Sequence, residues 1–126
     1  MHSKRPSNKE ISKRLDEAKK YLKIQDGIFA NPGKVVGELN ALGIGDTREL
    51  WELIKDLLNE ITPKDYKGSR PPQKSYEKAI EGLELFAFSW WSEKLAKEMY
   101  IKFVLKNERF YYVSLHQSRR SGQQGE

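Results

Sequence analysis

The chain has 126 residues, no cysteine, and a formal net charge of +5. That length supports one hydrophobic core and excludes several. The lack of cysteine excludes disulfides and thiolate metal sites, and the positive charge favours a polyanion or an acidic protein as partner. No apolar run approaches the roughly 20 residues that span a bilayer. No apolar segment follows the basic start, Met1–Pro6, as a secretory signal requires. The cytoplasm is the expected location, with no membrane partner. The charge is unevenly placed. Residues 1–61 carry eleven Lys/Arg against ten Asp/Glu, whereas 62–126 carry twelve against eight, which biases the positive field toward the C-terminal half.

Residues 1–6 are expected to be disordered and 7–117 to form a single domain. Ser7 with Glu10 reads as a capping box, followed by Ile11, Leu15, Ala18 and Leu22 at helical spacing. This helix is expected to reach about Gln25, with Gly27 as its stop. Its other side is rich in Lys, a pattern that usually marks a solvated face. A second helix is expected from Asn31, with Pro32 at its first position, burying Val35, Val36, Leu39 and Leu42. Gly43–Gly45 lacks the Lys and Ser/Thr of a phosphate loop and reads as a turn between helices. Asp46 with Glu49 starts a third helix with a strong stripe of Leu50, Leu53, Ile54, Leu57 and Leu58, flanked by Trp51. Thr62-Pro63 ends this helix or caps one more turn. Asp65 to Pro72 is a clear loop.

After an ambiguous stretch at Tyr76–Ala79, the β-rich segment Leu83–Trp91 alternates Phe86, Phe88 and Trp90. Ser92–Glu98 is expected to link it, with a short helical turn, to a closing hairpin. There Ile101, Phe103 and Leu105 oppose Tyr100, Lys102 and Val104, and in the return strand Tyr111, Val113 and Leu115 oppose Tyr112, Ser114 and His116. A two-residue loop at Asn107–Glu108 would mix these faces. A three-residue loop, Asn107–Arg109, sets Tyr100 opposite His116, Lys102 opposite Ser114 and Ile101 opposite Leu115, and is therefore preferred. The tail, 118–126, is polar and expected to be flexible. Helices first and strands after indicate an α+β fold, with N-terminal helices packed on one face of a small C-terminal antiparallel sheet.

Asp65-Tyr66-Lys67-Gly68-Ser69, the strand Leu85–Phe88, then Met99–Phe103 and Val113–His116 together resemble the MqsR family of toxins. These are small, basic, RelE-like ribonucleases of bacterial toxin–antitoxin pairs. The resemblance extends over roughly Ala18 to His116 and is most specific at Asp65–Ser69, Tyr100–Lys102 and Val113–His116. It places the family's catalytic residues on Lys67, Tyr100 and His116, the last standing where the founding type has Lys. The family's Gln in the middle strand has no counterpart near Leu83 and Glu84, and the connection from Ser89 to Glu98 is longer. The resemblance implies cleavage of mRNA with a sequence preference, without a metal or other cofactor. It also implies a neutralising antitoxin partner, MqsA-like or helix-turn-helix.

Metal-independent cleavage needs a base for the 2′-OH proton, an acid for the leaving 5′-oxygen, and cations for the developing phosphorane charge. Histidine is the side-chain type whose unperturbed pKa, about 6.5, lies nearest neutrality, so His116 is the candidate for the acid or base role. Tyr100 is placed across the strands from it. Lys67, Lys102, Arg119 and Arg120 are candidates for phosphate. Tyr112, Tyr66 or Trp90 are candidates for stacking a base. The plainer alternatives are a surface histidine, a cross-strand tyrosine, a loop lysine kept for solubility, and Lys102 blunting a sheet edge. One of Trp90 and Trp91 is expected in the core and the other exposed, in an antitoxin interface. Two histidines without cysteine argue against a zinc site. The rival functions are a non-catalytic binding module of the same fold and a toxin that cuts only on the ribosome.

Overall fold

The computed structural model describes residues 7–68 and 77–118. Helix α1, Asn8–Ile24, begins where Ser7 Oγ accepts the Glu10 N–H at 3.1 Å, and it buries Ile11, Leu15, Ala18 and Leu22. It ends at Gln25, ahead of Gly27. That glycine has a packing role instead: a Cβ there would stand 2.8 Å from Phe110 O and 2.9 Å from the Trp51 ring. The close approach lets Ile28–Phe29 form a short strand, β1, before helix α2, Pro32–Leu42. Helix α2 starts at Asn31 and stops at Gly43, whose φ of 72° is the left-handed conformation that suits glycine. Val35 is buried, but Val36 is 61% exposed, because α2 turns a narrower stripe inward than its apolar content suggests. Helix α3, Thr47–Leu58, is capped by Asp46, whose Oδ1 accepts the Glu49 N–H at 2.8 Å. Trp51, beside that stripe, packs in the core as expected, stacked on Phe29 with centroids 4.9 Å apart.

A 3-10 turn over Pro63–Asp65 leads the chain to the sheet, and Lys78–Ile80 forms another beyond the undescribed segment. Strands β2 (Phe86–Ser92), β3 (Lys97–Lys106) and β4 (Arg109–Gln117) follow. The order is β1-β4-β3-β2, with β1 parallel to β4 and the other pairs antiparallel. The fold is therefore α+β with three N-terminal helices and a mixed sheet, not a purely antiparallel one. The parallel strand arises because a two-residue segment between helices satisfies part of the β4 edge. Its short length and lack of alternation hide it from pattern reading. The β2–β3 link is also tighter than expected. Lys97 and Glu98 belong to β3, and the turn closes through Ala96 N–H to Ser92 O at 2.8 Å.

The β3–β4 hairpin closes on a two-residue loop, Asn107–Glu108, not on the expected three-residue one, yet its outer part has the expected pairs Tyr100 with His116, Ile101 with Leu115 and Lys102 with Ser114. Lys106 pairs with Arg109 across a two-residue turn, with Asn107 and Glu108 at φ 52° and 58°. Positive φ at both central positions gives a turn whose twist matches that of the strands. The register then shifts between Lys102 and Phe103. Phe103 faces Tyr112, but Lys102 faces Ser114, so Val113 is an extra residue in β4. Such a bulge resets the alternation. Phe110 and Tyr112 point to the helices, and so does Leu115, whereas Tyr111 and Val113 lie on the opposite face. Tyr112 therefore does not share a face with Ser114 and His116, as strict alternation had implied.

One face of the sheet, with Phe88, Met99, Ile101 and Phe103 fully buried, packs on α1 and α3. Burying each such side chain contributes about 1.5–3 kcal/mol, which makes this layer the main source of stability. Part of the other face, nearest the β3–β4 turn, is covered by Ile80 and Leu85 over Val104 and Val113. Lys106 Nζ donates to Ala79 O at 2.8 Å and ties that cover down. Among the described residues, no helix is long and apolar enough to cross a membrane.

Candidate active site

Beyond the bulge, the face turned away from the helices carries a different set of side chains. Tyr100 pairs with His116, Lys102 with Ser114, and Ser89 with Tyr100. Paired residues in an antiparallel sheet project to one side, so all five share this face. The Tyr100 and His116 rings stack with centroids 5.2 Å apart and planes at 28°. Lys102 Nζ lies 5.7 Å from the Tyr100 ring centroid, within cation–π range. Tyr100, Lys102 and His116 are half-buried on this face. β3 is an inner strand, so Lys102 is not guarding a sheet edge.

The proton-donating and proton-accepting atoms of this face follow from their surroundings. His116 Nδ1 lies 2.9 Å from Gln117 O. A carbonyl oxygen only accepts, so Nδ1 carries the hydrogen and the neutral ring presents the lone pair of Nε2. Burial raises the Tyr100 hydroxyl above its ordinary value, which keeps it a donor at neutral pH. Burial, and next the like charge of Lys34, lower Lys102 and make its ammonium a readier proton donor.

Lys67 reaches this face from the far edge. Asp65 Oδ2 accepts the Thr62 N–H at 2.9 Å, closing the 3-10 turn, and Tyr66 packs edge-on against Phe88 in an antiparallel bridge. Lys67 N–H then donates to Ala87 O at 2.7 Å. Because Tyr66 shares the face of Phe88, alternation turns exposed Lys67 to the face of Ala87 and Lys102. The acidic-aromatic-Lys segment thus has a physical logic: one residue caps, one anchors, one is presented.

At the other side of the site, Glu38 of α2 accepts hydrogen bonds from Ser114 Oγ at 2.7 Å, from Leu115 N–H at 3.0 Å and from the Tyr112 hydroxyl. β1 pairs only as far as Tyr112, so the Glu38 carboxylate takes over where the parallel strand stops. This also satisfies Ser114, which is otherwise buried. Burial first, and then the hydrogen bond to Glu38, hold the Tyr112 hydroxyl far above its ordinary value.

His116, Tyr100, Lys102 and Lys67 are thus brought to one face. Tyr112 and Trp90 are not: each is in the core between sheet and helices. Tyr112 is 1% exposed with its hydroxyl engaged by Glu38, and Trp90 is 4% exposed with Nε1–H donating to Glu60 Oε1 at 2.9 Å. Neither can stack a base there. Tyr66 is likewise buried. Arg119 and Arg120 lie outside the described residues, as do the expected disordered start and most of the expected flexible tail. Ser118, the first residue of that tail, instead continues the sheet, donating its N–H to Glu98 O at 2.9 Å, with its Oγ 3.2 Å from Ser89 Oγ.

Two members of this face were not singled out for it from sequence. Trp91, 55% exposed, follows Ser89 along β2 on the same side, and the inward run of Phe86, Phe88 and Trp90 already carries that signal. Lys34 is brought near Lys102 only by the packing of α2 on β4, and nothing in its local sequence marks it. Among the described residues, no three of His, Asp and Glu gather as a metal-ligand set. Comparison of the chain with protein-family models, with curated proteins and with solved structures gave no match.

Proposed function

We propose that the protein is a metal-independent endoribonuclease of RelE-like type, acting as the toxin of a bacterial toxin–antitoxin pair. The observation that carries this reading is the Tyr100–His116 stack with Lys102 beside it on an open sheet face. It supplies a base, a hydroxyl donor and a cation within one strand pairing. The likeness of Asp65–Ser69, Tyr100–Lys102 and Val113–His116 to MqsR-type toxins supports the same assignment. Mechanistically, His116 Nε2 takes the proton of the 2′-OH as the oxygen attacks the adjacent phosphorus. The bond from phosphorus to the 5′-oxygen breaks, leaving a 2′,3′-cyclic phosphate and a 5′-OH end. Lys102 gives its proton to the departing 5′-oxygen, a role suited to its lowered pKa. The Tyr100 hydroxyl donates to a non-bridging oxygen, and Lys67 adds positive charge from the β2 edge. Trp91 is the exposed ring on which an unpaired base can stack. An antitoxin that covers Trp91 and the cationic face would block the substrate.

The test is incubation of the purified protein with mixed-sequence RNA in EDTA, with ends mapped by primer extension. Recurrent cuts with 5′-OH ends, reduced about 10²–10⁴-fold in His116→Ala, are expected for a residue acting in general acid–base catalysis. Cleavage undiminished in that variant removes His116 from the chemistry. Naked RNA left intact by folded protein, but cut on translating ribosomes, makes the toxin ribosome-dependent. RNA left intact in both settings overturns the enzymatic reading in favour of a binding module.

A further inference from the structure

The cations of the open face line up across the strands, not along one of them. Lys67 is tied to Ala87, Ala87 is in register with Lys102, and Lys102 with Ser114. With strands about 4.8 Å apart, this row crosses roughly 14 Å of sheet. Helix α2 extends it. Glu38 touches Ser114 at the end of the row, and Lys34 lies one helical turn before Glu38, on the same side of the helix. The charge of Lys34 is felt at Lys102. The Glu38 carboxylate is engaged by Tyr112, Ser114 and Leu115 of β4. Among the described residues, Lys34, Lys67 and Lys102 form no ion pair. The acid on this face of β3, Glu98, lies beyond Tyr100 on the side away from Lys102. Like charges gathered over one face repel one another, and a bound polyanion relieves that repulsion. Tyr100 and His116 stand two residues along the strands from this row, the next position on the same face, and Trp91 two residues further.

We propose that the phosphate backbone of single-stranded RNA crosses the strands along Lys34, Lys102 and Lys67, which makes α2 part of the RNA-binding surface and Lys34 a phosphate-binding residue. This rests on the ribonuclease reading of the same face. The phosphate at Lys102 is the one beside His116, and Lys34 and Lys67 hold its neighbours on either side. Single-stranded RNA fits better than an acidic protein surface because an exposed indole flanks the row, and bases stack on such rings.

Binding is measured by fluorescence anisotropy of a fully 2′-O-methylated mixed-sequence oligoribonucleotide, which lacks the attacking hydroxyl, over a series of KCl concentrations. Each single-strand phosphate contact contributes about 0.7 to the slope of log affinity against log salt. The slope should therefore become shallower by about 0.7 in Lys34→Ala and again in Lys67→Ala, and remain that of the parent in Lys9→Ala on α1. Circular dichroism establishes that each variant is folded. A parent-like slope in Lys34→Ala, with binding retained, overturns the path across α2 and leaves the ribonuclease reading standing. Loss of slope in Lys9→Ala as large as in Lys34→Ala also overturns it, since the charge then acts without a location. Failure of the parent protein both to bind this oligonucleotide and to cleave RNA overturns the ribonuclease reading itself.

Discussion

On the helix-facing side of the sheet, Phe88, Ile101 and Phe103 have lost all contact with solvent; on the other side, one residue along the same strands, Tyr100 and Lys102 remain partly exposed. The same backbone serves both. The inward residues gain from burial and fix where the strands lie, and that rigidity positions the outward residues at no packing cost of their own. The division of labour implies that substitutions on the two faces separate stability from function. Phe88 stacks on Phe103 with centroids 5.9 Å apart. Phe88→Ala should cost about 3–5 kcal/mol in a urea-unfolding measurement, whereas His116→Ala should leave the midpoint near that of the parent and act on cleavage alone. A Phe88→Ala protein of parent stability would break the contrast.

Glu38 tests the boundary between the two faces, since it joins inward Tyr112 to outward Ser114. Removing the carboxylate leaves two hydroxyls and the Leu115 N–H without their acceptor. Glu38→Ala is expected to cost about 1–3 kcal/mol by the same unfolding measurement. The smallest effect concerns Glu60, at the rim of the helix-facing layer. Burial alone would raise its pKa, but hydrogen bonds from Trp90 Nε1–H and the Lys94 N–H outweigh it and hold the carboxyl below its ordinary value. A depressed folded-state pKa stabilises above the unfolded value, about 4.3, and the gain is lost as pH falls through the folded value. The fall in thermal midpoint on acidification should therefore be shallower in Glu60→Gln. An acid limb as steep as the parent's would show that other carboxylates set it.

The helices were legible because their signals are local. Ser7, Asp46 and Gly43 act as caps within one turn of the residues they serve, and the stripes of α1 and α3 repeat over several turns. The pairing of Tyr100 with His116 was legible too, since the apolar faces agree in one register beyond the turn. The bulge at Val113 was not. Two positive-φ residues allowed a tight turn, and the strand recovered its inward phase through one extra residue. Strict alternation therefore puts Tyr112 on the wrong side, and with it one expected base-stacking residue. Trp90 and Trp91 were correctly expected to divide between core and surface, but the sequence did not assign Trp90 to Glu60.

What the sequence by itself determined is what periodicity and capping govern: three helices, the β-rich C-terminal half, and the polar character of Tyr100, Lys102, Ser114 and His116. Tertiary structure alone decided the parallel strand Ile28–Phe29, the reset of phase at Val113, and the arrival of Lys34 and Lys67 at opposite ends of one row. Each of these depends on contacts between residues far apart in the chain, which no local pattern records. β1 exists because β4 offers an edge to pair with, and Lys34 approaches Lys102 because α2 docks through Glu38 on that same strand.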